Sequence, residues 1–138
     1  MKKYFAAAVL LVGLSACCSQ NKVPLEGTVW KLSQMEGIPT EAITMEDDAF
    51  TLQFSAADLM VAGRTNCNRF FGKYELKGKE IDFEDMGMTR MACPEMQYEG
   101  MFVKMLDEAD RYKIHGEELT LSDDGRVLAT FRPLPIAK

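Results

Sequence analysis

Sulfur carries most of the chemistry that this sequence offers. Four cysteines and ten methionines sit in a chain of 138 residues with a single histidine. Cys67 and Cys93 lie inside what must be the folded part, and Met86, Met88, Met91 and Met96 crowd around Cys93. Thioethers are soft ligands that suit Cu(I), so this cluster reads as a copper site or as gap filling in a small core. Core filling is the stronger reading, because Met101 and Met105 fall on the apolar stripe of a helical segment. His115 ends a strand-like run before Gly116, where a solvated or capping role suits it better than base catalysis. Asp82, Glu84 and Asp85 resemble a glycosidase carboxylate pair only in composition, since their spacing also suits the polar face and end of a strand. No serine or cysteine hydrolase constellation is visible. The expectation is a protein that is not an enzyme, with no cofactor and no resident metal.

The N-terminus carries a different covalent chemistry. Lys2 and Lys3 precede an apolar run from Phe5 to Leu14, the layout of an export signal. That run is shorter than the roughly 20 residues needed to span a bilayer. It ends in Leu14-Ser15-Ala16-Cys17, which resembles a bacterial lipobox: one apolar and two small residues ahead of an alkylated thiol. Residues 1–16 are therefore expected to be a signal peptide, 17–24 a lipidated N-terminus and tether, and 25–138 one domain. Cys17 is the expected lipidation site; Cys18 is a poorer acceptor, because cleavage before it would leave a cysteine beside the cut. The tether reaches only about 20 to 25 Å at about 3.4 Å per residue, which keeps the domain near the membrane.

Charge and compartment narrow the partners. The formal net charge is −5, and loss of Lys2 and Lys3 makes the remainder more acidic. Nucleic acid and anionic headgroups are disfavoured, so acyl chains such as palmitate must supply the anchorage. Two or three such chains hold a protein stably where one does not. An exported domain also meets an oxidising compartment, so Cys67 and Cys93 are expected first as a disulfide, worth about 3 kcal/mol by loop closure. Buried free thiols are the alternative, and a redox pair is disfavoured by the distance between the two in sequence.

The elements that must position these residues are mostly strands. Apolar residues alternate in Thr28 to Leu32 and Phe50 to Phe54, with further strands at Leu59 to Arg64, Phe70 to Leu76 and Ile81 to Phe83. The segment from Glu36 to Asp48 is polar and broken by Gly37 and Pro39, and reads as a loop with little order. Tyr98, Met101, Phe102, Met105, Leu106 and Ala109 share one helical face, with Pro94 expected in the first turn and Glu95 and Glu99 near the positive end of the dipole. Arg111 to His115, Glu118 to Ser122 and Val127 to Arg132 complete the strands, the last two joined by a tight turn at Asp123-Asp124-Gly125. The expected fold is α+β, a curved antiparallel sheet of about seven or eight strands, partly barrel-like, packed against one amphipathic helix.

Gly63-Arg64-Thr65-Asn66-Cys67-Asn68-Arg69-Phe70-Phe71-Gly72-Lys73-Tyr74, followed by Met88-Thr89-Arg90-Met91-Ala92-Cys93-Pro94, resembles the META/HslJ domain family. The likeness runs from Trp30-Lys31-Leu32 to the final hairpin and departs at Thr65-Asn66, where the family usually has glycine. It implies a small α+β fold similar to secretin pilot lipoproteins and a bacterial cell-envelope role, linked in relatives to heat or antibiotic tolerance. No catalytic residue comes with it. Gly63, Asn68, Gly72, Tyr74, Thr89 and Arg90 are its motif residues here. Asn68 and Gly72 suit turn and bulge duties, and Arg90 is expected to pair with Asp82, Glu84 or Asp85 before it meets an anionic ligand. The expectation that follows is a monomeric, lipid-anchored protein, most naturally on the outer membrane facing the periplasm, which binds an unknown protein or lipid-like partner. A copper-binding envelope protein and a pilot-like chaperone for an outer-membrane assembly are the alternatives.

Overall fold

A computed structural model describes residues 22–135. The expected signal peptide, Cys17 and Cys18 lie outside the described residues. Alternating apolar side chains become strand interiors. Trp30 and Leu32 of β1 (Val29–Met35), Leu52 and Phe54 of β2 (Thr51–Ser55) and Val61 of β3 (Met60–Arg64) point into one core. Phe70 and Tyr74 of β4 (Arg69–Lys77) and Ile81 and Phe83 of β5 (Glu80–Met88) continue it. Beyond the helix, β6 (Arg111–His115), β7 (Glu118–Asp123) and β8 (Arg126–Pro133) add Leu119, Leu121, Ala129 and Phe131.

Every strand pairs antiparallel with the next, and β8 returns to β1, so the eight strands form a ring. It is not a regular barrel, because β5 and β6 share only the pair Glu80↔Arg111. Closure elsewhere pairs each strand on both sides, so the open sheet edges are the facing sides of β5 and β6 beyond that one pair. Antiparallel order also gives the ring two distinct poles. The chain before β1, the β4–β5 turn and the β6–β7 turn lie at one; the β3–β4 turn, the β7–β8 turn and helix α2 (Met96–Glu108) lie at the other.

Helix α2 closes its pole with Phe102, whose ring centroid lies 5.5, 5.9 and 6.2 Å from those of Phe50, Phe70 and Phe131. Burial of each such ring contributes roughly 1.5–3 kcal/mol. At the opposite pole Trp30 Nε1 donates to Leu25 O, and Val23 N donates to Gly116 O. The chain is thereby stitched to the ring before it enters β1.

Several expectations are corrected. The segment between Glu36 and Asp48 is not a disordered loop: it contains α1 (Thr40–Thr44), because Ile38 and Ile43 are both buried and Lys31 Nζ donates to the carbonyls of Glu46 and Ala49. Strand β5 runs on to Met88, since a bulge between Phe71 and Lys73 and the absence of a side chain at Gly87 let Phe71 lie across it. Pro94 does not start the helix. Glu95 follows it in the left-handed conformation at φ 61°, and Asn66 Nδ2 holds the Glu95 carbonyl, so α2 begins only at Met96. The helix buries the expected face at Phe102, Met105, Leu106 and Ala109 and departs from it at two positions: Met101 is exposed, while Glu99 is buried in line with Phe102 and Leu106.

Candidate functional site

The residues of the Asn-Cys-Asn and Met-Thr-Arg motifs meet at the helix pole, where the β3–β4 turn faces the strap between β5 and α2. Asn68, 1% exposed, is the hub. Its Oδ1 accepts from Met91 N at 2.7 Å and Thr89 Oγ at 3.0 Å, while its Nδ2 donates to Glu99 Oε1 at 3.0 Å and Met91 O at 3.2 Å. Both ends of the amide are fully used. Thr89 Oγ in turn accepts from Arg69 N at 3.0 Å.

Glu99 is the polar anchor beneath this hub. It is only 4% exposed, and its Oε2 accepts from Thr65 Oγ at 2.5 Å and from Asn68 N at 3.1 Å. A carboxylate taken out of water survives when several donors replace its hydration, and charge-assisted bonds of this kind are about twice as strong as neutral ones. Thr65 Oγ also accepts from Cys67 N and Asn68 N, so this threonine organises the turn through its hydroxyl. Cys67 and Cys93 are joined as a disulfide with Cα atoms 5.9 Å apart, tying the turn to the strap.

The other motif residues do separate work. A side chain at Gly63 would place Cβ 1.9 Å from Thr51 O, and one at Gly72 would place it 2.3 Å from Met86 Sδ, so both positions admit only close backbone contact. Gly72 falls at the bulge between β4 and β5. Tyr74 lies toward the opposite pole, where its hydroxyl donates to Glu26 Oε1 at 2.8 Å. Burial, reinforced by the Glu26 carboxylate, pushes its phenol well above the ordinary value of 10.0. The expected ion pair of Arg90 is corrected: it is exposed and makes none among the described residues, because Asp85 pairs with Lys73 at 3.0 Å while Asp82 and Glu84 face solvent. His115 is exposed at the end of β6. Of the methionines around Cys93, Met86 and Met88 pack on the core whereas Met91 and Met96 are exposed.

Beside the disulfide lies a groove of about 310 Å³. Ala42 of α1, Met45 just after it, Ala49, Met91, Pro94 and Tyr98 line it together with Glu46, Arg64 and Glu95. Arg64 is held by Glu46 at 2.6 Å and Asp48 at 2.5 Å, which raises its pKa and neutralises it twice over. Burial lowers the pKa of Lys31 nearby, against the opposing pull of Asp47 and Asp48. The arrangement places no nucleophile beside a base; what it supplies is a rigid polar floor under an apolar, sulfur-rich surface. Glu99 and Thr65 were the functional residues that motif reading missed. The signal for Glu99 was present, since it precedes Phe102 and Leu106 on one helical face by three and seven positions.

A family model described as the META domain matches residues 23–134. The chain belongs to the META domain family. The match spans the whole META ring, from the residues that stitch the chain to the first pole through to the end of β8. Heat shock protein HslJ of Escherichia coli (strain K12) is 26% identical over 127 residues, covering 88% of this chain and 89% of that protein. An NMR structure of a protein from Burkholderia xenovorans superposes with a TM-score of 0.63 at 29% identity, covering 79% of this chain and 83% of that one. A crystal structure of a duf4847 family protein from Bacteroides vulgatus ATCC 8482 shares the META-like fold at a TM-score of 0.56 and 16% identity, covering 78% and 93%.

Proposed function

We propose that this META domain protein is a lipid-anchored, non-enzymatic binding protein of the bacterial cell envelope with a part in stress tolerance. The observation that carries the reading is the separation of the two poles. The chain joins the ring at Val23 and Leu25, and the apolar groove beside Cys67–Cys93 lies at the other end. A short tether from an acylated Cys17 would hold the first pole toward a bilayer and leave the groove facing away from it. The similarity to a protein named for heat shock supports the stress role. The lipobox-like sequence supports the anchor, and the outer membrane facing the periplasm is the side we assign.

Two measurements on protein from intact cells test the proposal. Mass analysis of the N-terminal peptide from the membrane fraction is expected to find acyl chains on Cys17; an unmodified, freely soluble product overturns the anchor. A photoreactive residue replacing Met45 is expected to crosslink to protein, while one replacing Lys79 at the first pole crosslinks to lipid. The reverse pattern overturns the orientation, and turnover of a substrate by the purified protein overturns the non-enzymatic reading.

A further inference from the structure

The negative charge of this protein is unevenly spread, and one hollow at the first pole reverses its sign. Because β5 and β6 share only the pair Glu80↔Arg111, β6 runs on past the β4–β5 turn toward the incoming chain. Val23 N donates to Gly116 O and Tyr112 N to Lys79 O, so three segments meet around a hollow of about 280 Å³. Lys22 from the incoming chain, Lys79 from the β4–β5 turn and Lys113 from β6 line it, with Val23, Tyr112 and Ile114 between them. All three lysines are exposed, and among the described residues no carboxylate lines the hollow.

These are also the lysines that the fold leaves unused. Lys31 is bound by the carbonyls of Glu46 and Ala49, and Lys73, Lys77 and Lys104 are paired with Asp85, Glu75 and Glu108. Lys22, Lys79 and Lys113 make no ion pair among the described residues, and together they face the one hollow. Nearby acids do not cancel them. Glu80 is held by Arg111 at 3.7 Å and Glu118 by Arg132 at 3.4 Å, while Glu117 and Asp58, on turns of the same pole, do not line the hollow. Acids at the helix pole lie a strand's length away, about 20 to 30 Å, and a Debye length of about 8 Å at physiological salt screens them. The local charge, rather than the formal −5 of the whole chain, therefore decides what approaches this pole.

The position of the hollow says which anion that is. Lys22 is five residues from Cys17, about 17 Å of extended chain, so an acylated Cys17 brings the hollow against lipid headgroups. Lysine ammonium groups around the ring of a half-buried tyrosine suit that depth, where one end of each side chain is apolar and the other wet. We infer that the hollow docks the domain on anionic phospholipid headgroups of the bilayer that holds its acyl chains, with Lys22, Lys79 and Lys113 facing their phosphates. The inference rests on the proposed anchor and deepens it, since it adds a second membrane contact selected by headgroup charge. Each lysine near such a surface contributes about fivefold, so the three together favour the docked domain by on the order of 100-fold.

The test uses the full chain in nanodiscs, its acylation read first by mass, with isoleucine and methionine methyls labelled for NMR and a spin label on some of the lipid headgroups. Discs of phosphatidylcholine alone are compared with discs in which part of it is replaced by phosphatidylglycerol. Phosphatidylglycerol is expected to broaden the Ile114 methyl severalfold more than phosphatidylcholine alone, with Met45 at the other pole unchanged and the difference removed by high salt. Lys79→Gln combined with Lys113→Gln is expected to return the broadening to the phosphatidylcholine level. Lys104→Gln combined with Arg126→Gln, equal in charge but at the helix pole, is expected to leave it intact. Equal broadening in the two discs, or equal loss in both double variants, overturns the inference. So does inorganic phosphate that shifts Ile114 as strongly as the lipid, which would assign the hollow to a free anion. An acylated protein that ignores headgroup charge sinks the docking and leaves the anchor standing, whereas an unacylated chain sinks both.

Discussion

The two poles of the ring are closed by different means. At the entry pole the chain is stitched by backbone bonds and tight turns, joined by the Trp30 indole bond to Leu25 O and the Tyr74 hydroxyl bond to Glu26. At the helix pole the closure is a helix, a disulfide and a buried carboxylate served by Thr65 and Asn68. A pole closed by a helix and a strap leaves a seam between them, and rigid polar bonding below that seam lets adaptable methionines stand above it. The helix pole is therefore where the buried polar bonding is concentrated, and substitutions there should cost more than equivalent ones at the entry pole.

Asn68→Ala should break that asymmetry most severely. It removes the donors and acceptors that serve Glu99, Met91 and Thr89 together, leaving a buried carboxylate short of partners. The expected loss is about 3 to 5 kcal/mol, measured by chemical denaturation. A loss below 1 kcal/mol would mean that water replaces the amide and that the pole is not rigid.

Replacing Cys67 and Cys93 together by alanine comes next. The bond spans 26 residues, so the chain-entropy model gives about 3.5 kcal/mol. The same variant should broaden the Met91 methyl resonance while leaving Tyr74 unchanged, which separates loss of stability from loss of the groove floor. Gly63→Ala should follow at about 1 to 3 kcal/mol, because a Cβ there collides with the Thr51 carbonyl and the Phe70 ring between paired strands. Heat denaturation reads this effect, and a neutral result would show that the β2–β3 pair can spread.

The strands were legible in the sequence because alternation at Trp30, Leu32, Leu52, Phe54, Leu119 and Leu121 obeys a period that only a half-buried strand satisfies. The hairpin at Asp123-Asp124-Gly125 was legible for a local reason as well, since both Asp124 and Gly125 take positive φ. The helix was found, with its buried face read correctly at Phe102, Met105, Leu106 and Ala109. Periodicity counts Met101 as core, and although it puts Glu99 on the face of Phe102 and Leu106, it has no means of knowing that donors on a turn 31 residues earlier would make burial of a carboxylate favourable. Short α1 escaped for a related reason: two buried isoleucines in a polar segment make no repeating pattern. Motif resemblance brought Asn68, Cys67, Thr89 and Cys93 to notice, yet it grouped Tyr74 with them although that side chain belongs to the other pole.

Tyr74→Phe is the mildest test and the one that measures the entry pole alone. Loss of the hydroxyl removes one bond to Glu26, a residue that keeps partial access to water, so the expected cost near neutral pH is about 1 kcal/mol. Its pH dependence sharpens the comparison. The folded protein holds the Tyr74 proton more tightly than the unfolded chain does, because burial and the Glu26 carboxylate both oppose the phenolate. That contribution is fully present below the unfolded value of 10.0 and is lost as the pH rises above it. Phenylalanine has no proton to lose, so the stability gap between the native protein and the variant should shrink above pH 10. Denaturation curves that stay parallel across that range would show that the Tyr74 hydroxyl is already free, and the entry pole would then rest on its backbone bonds and the Trp30 indole bond.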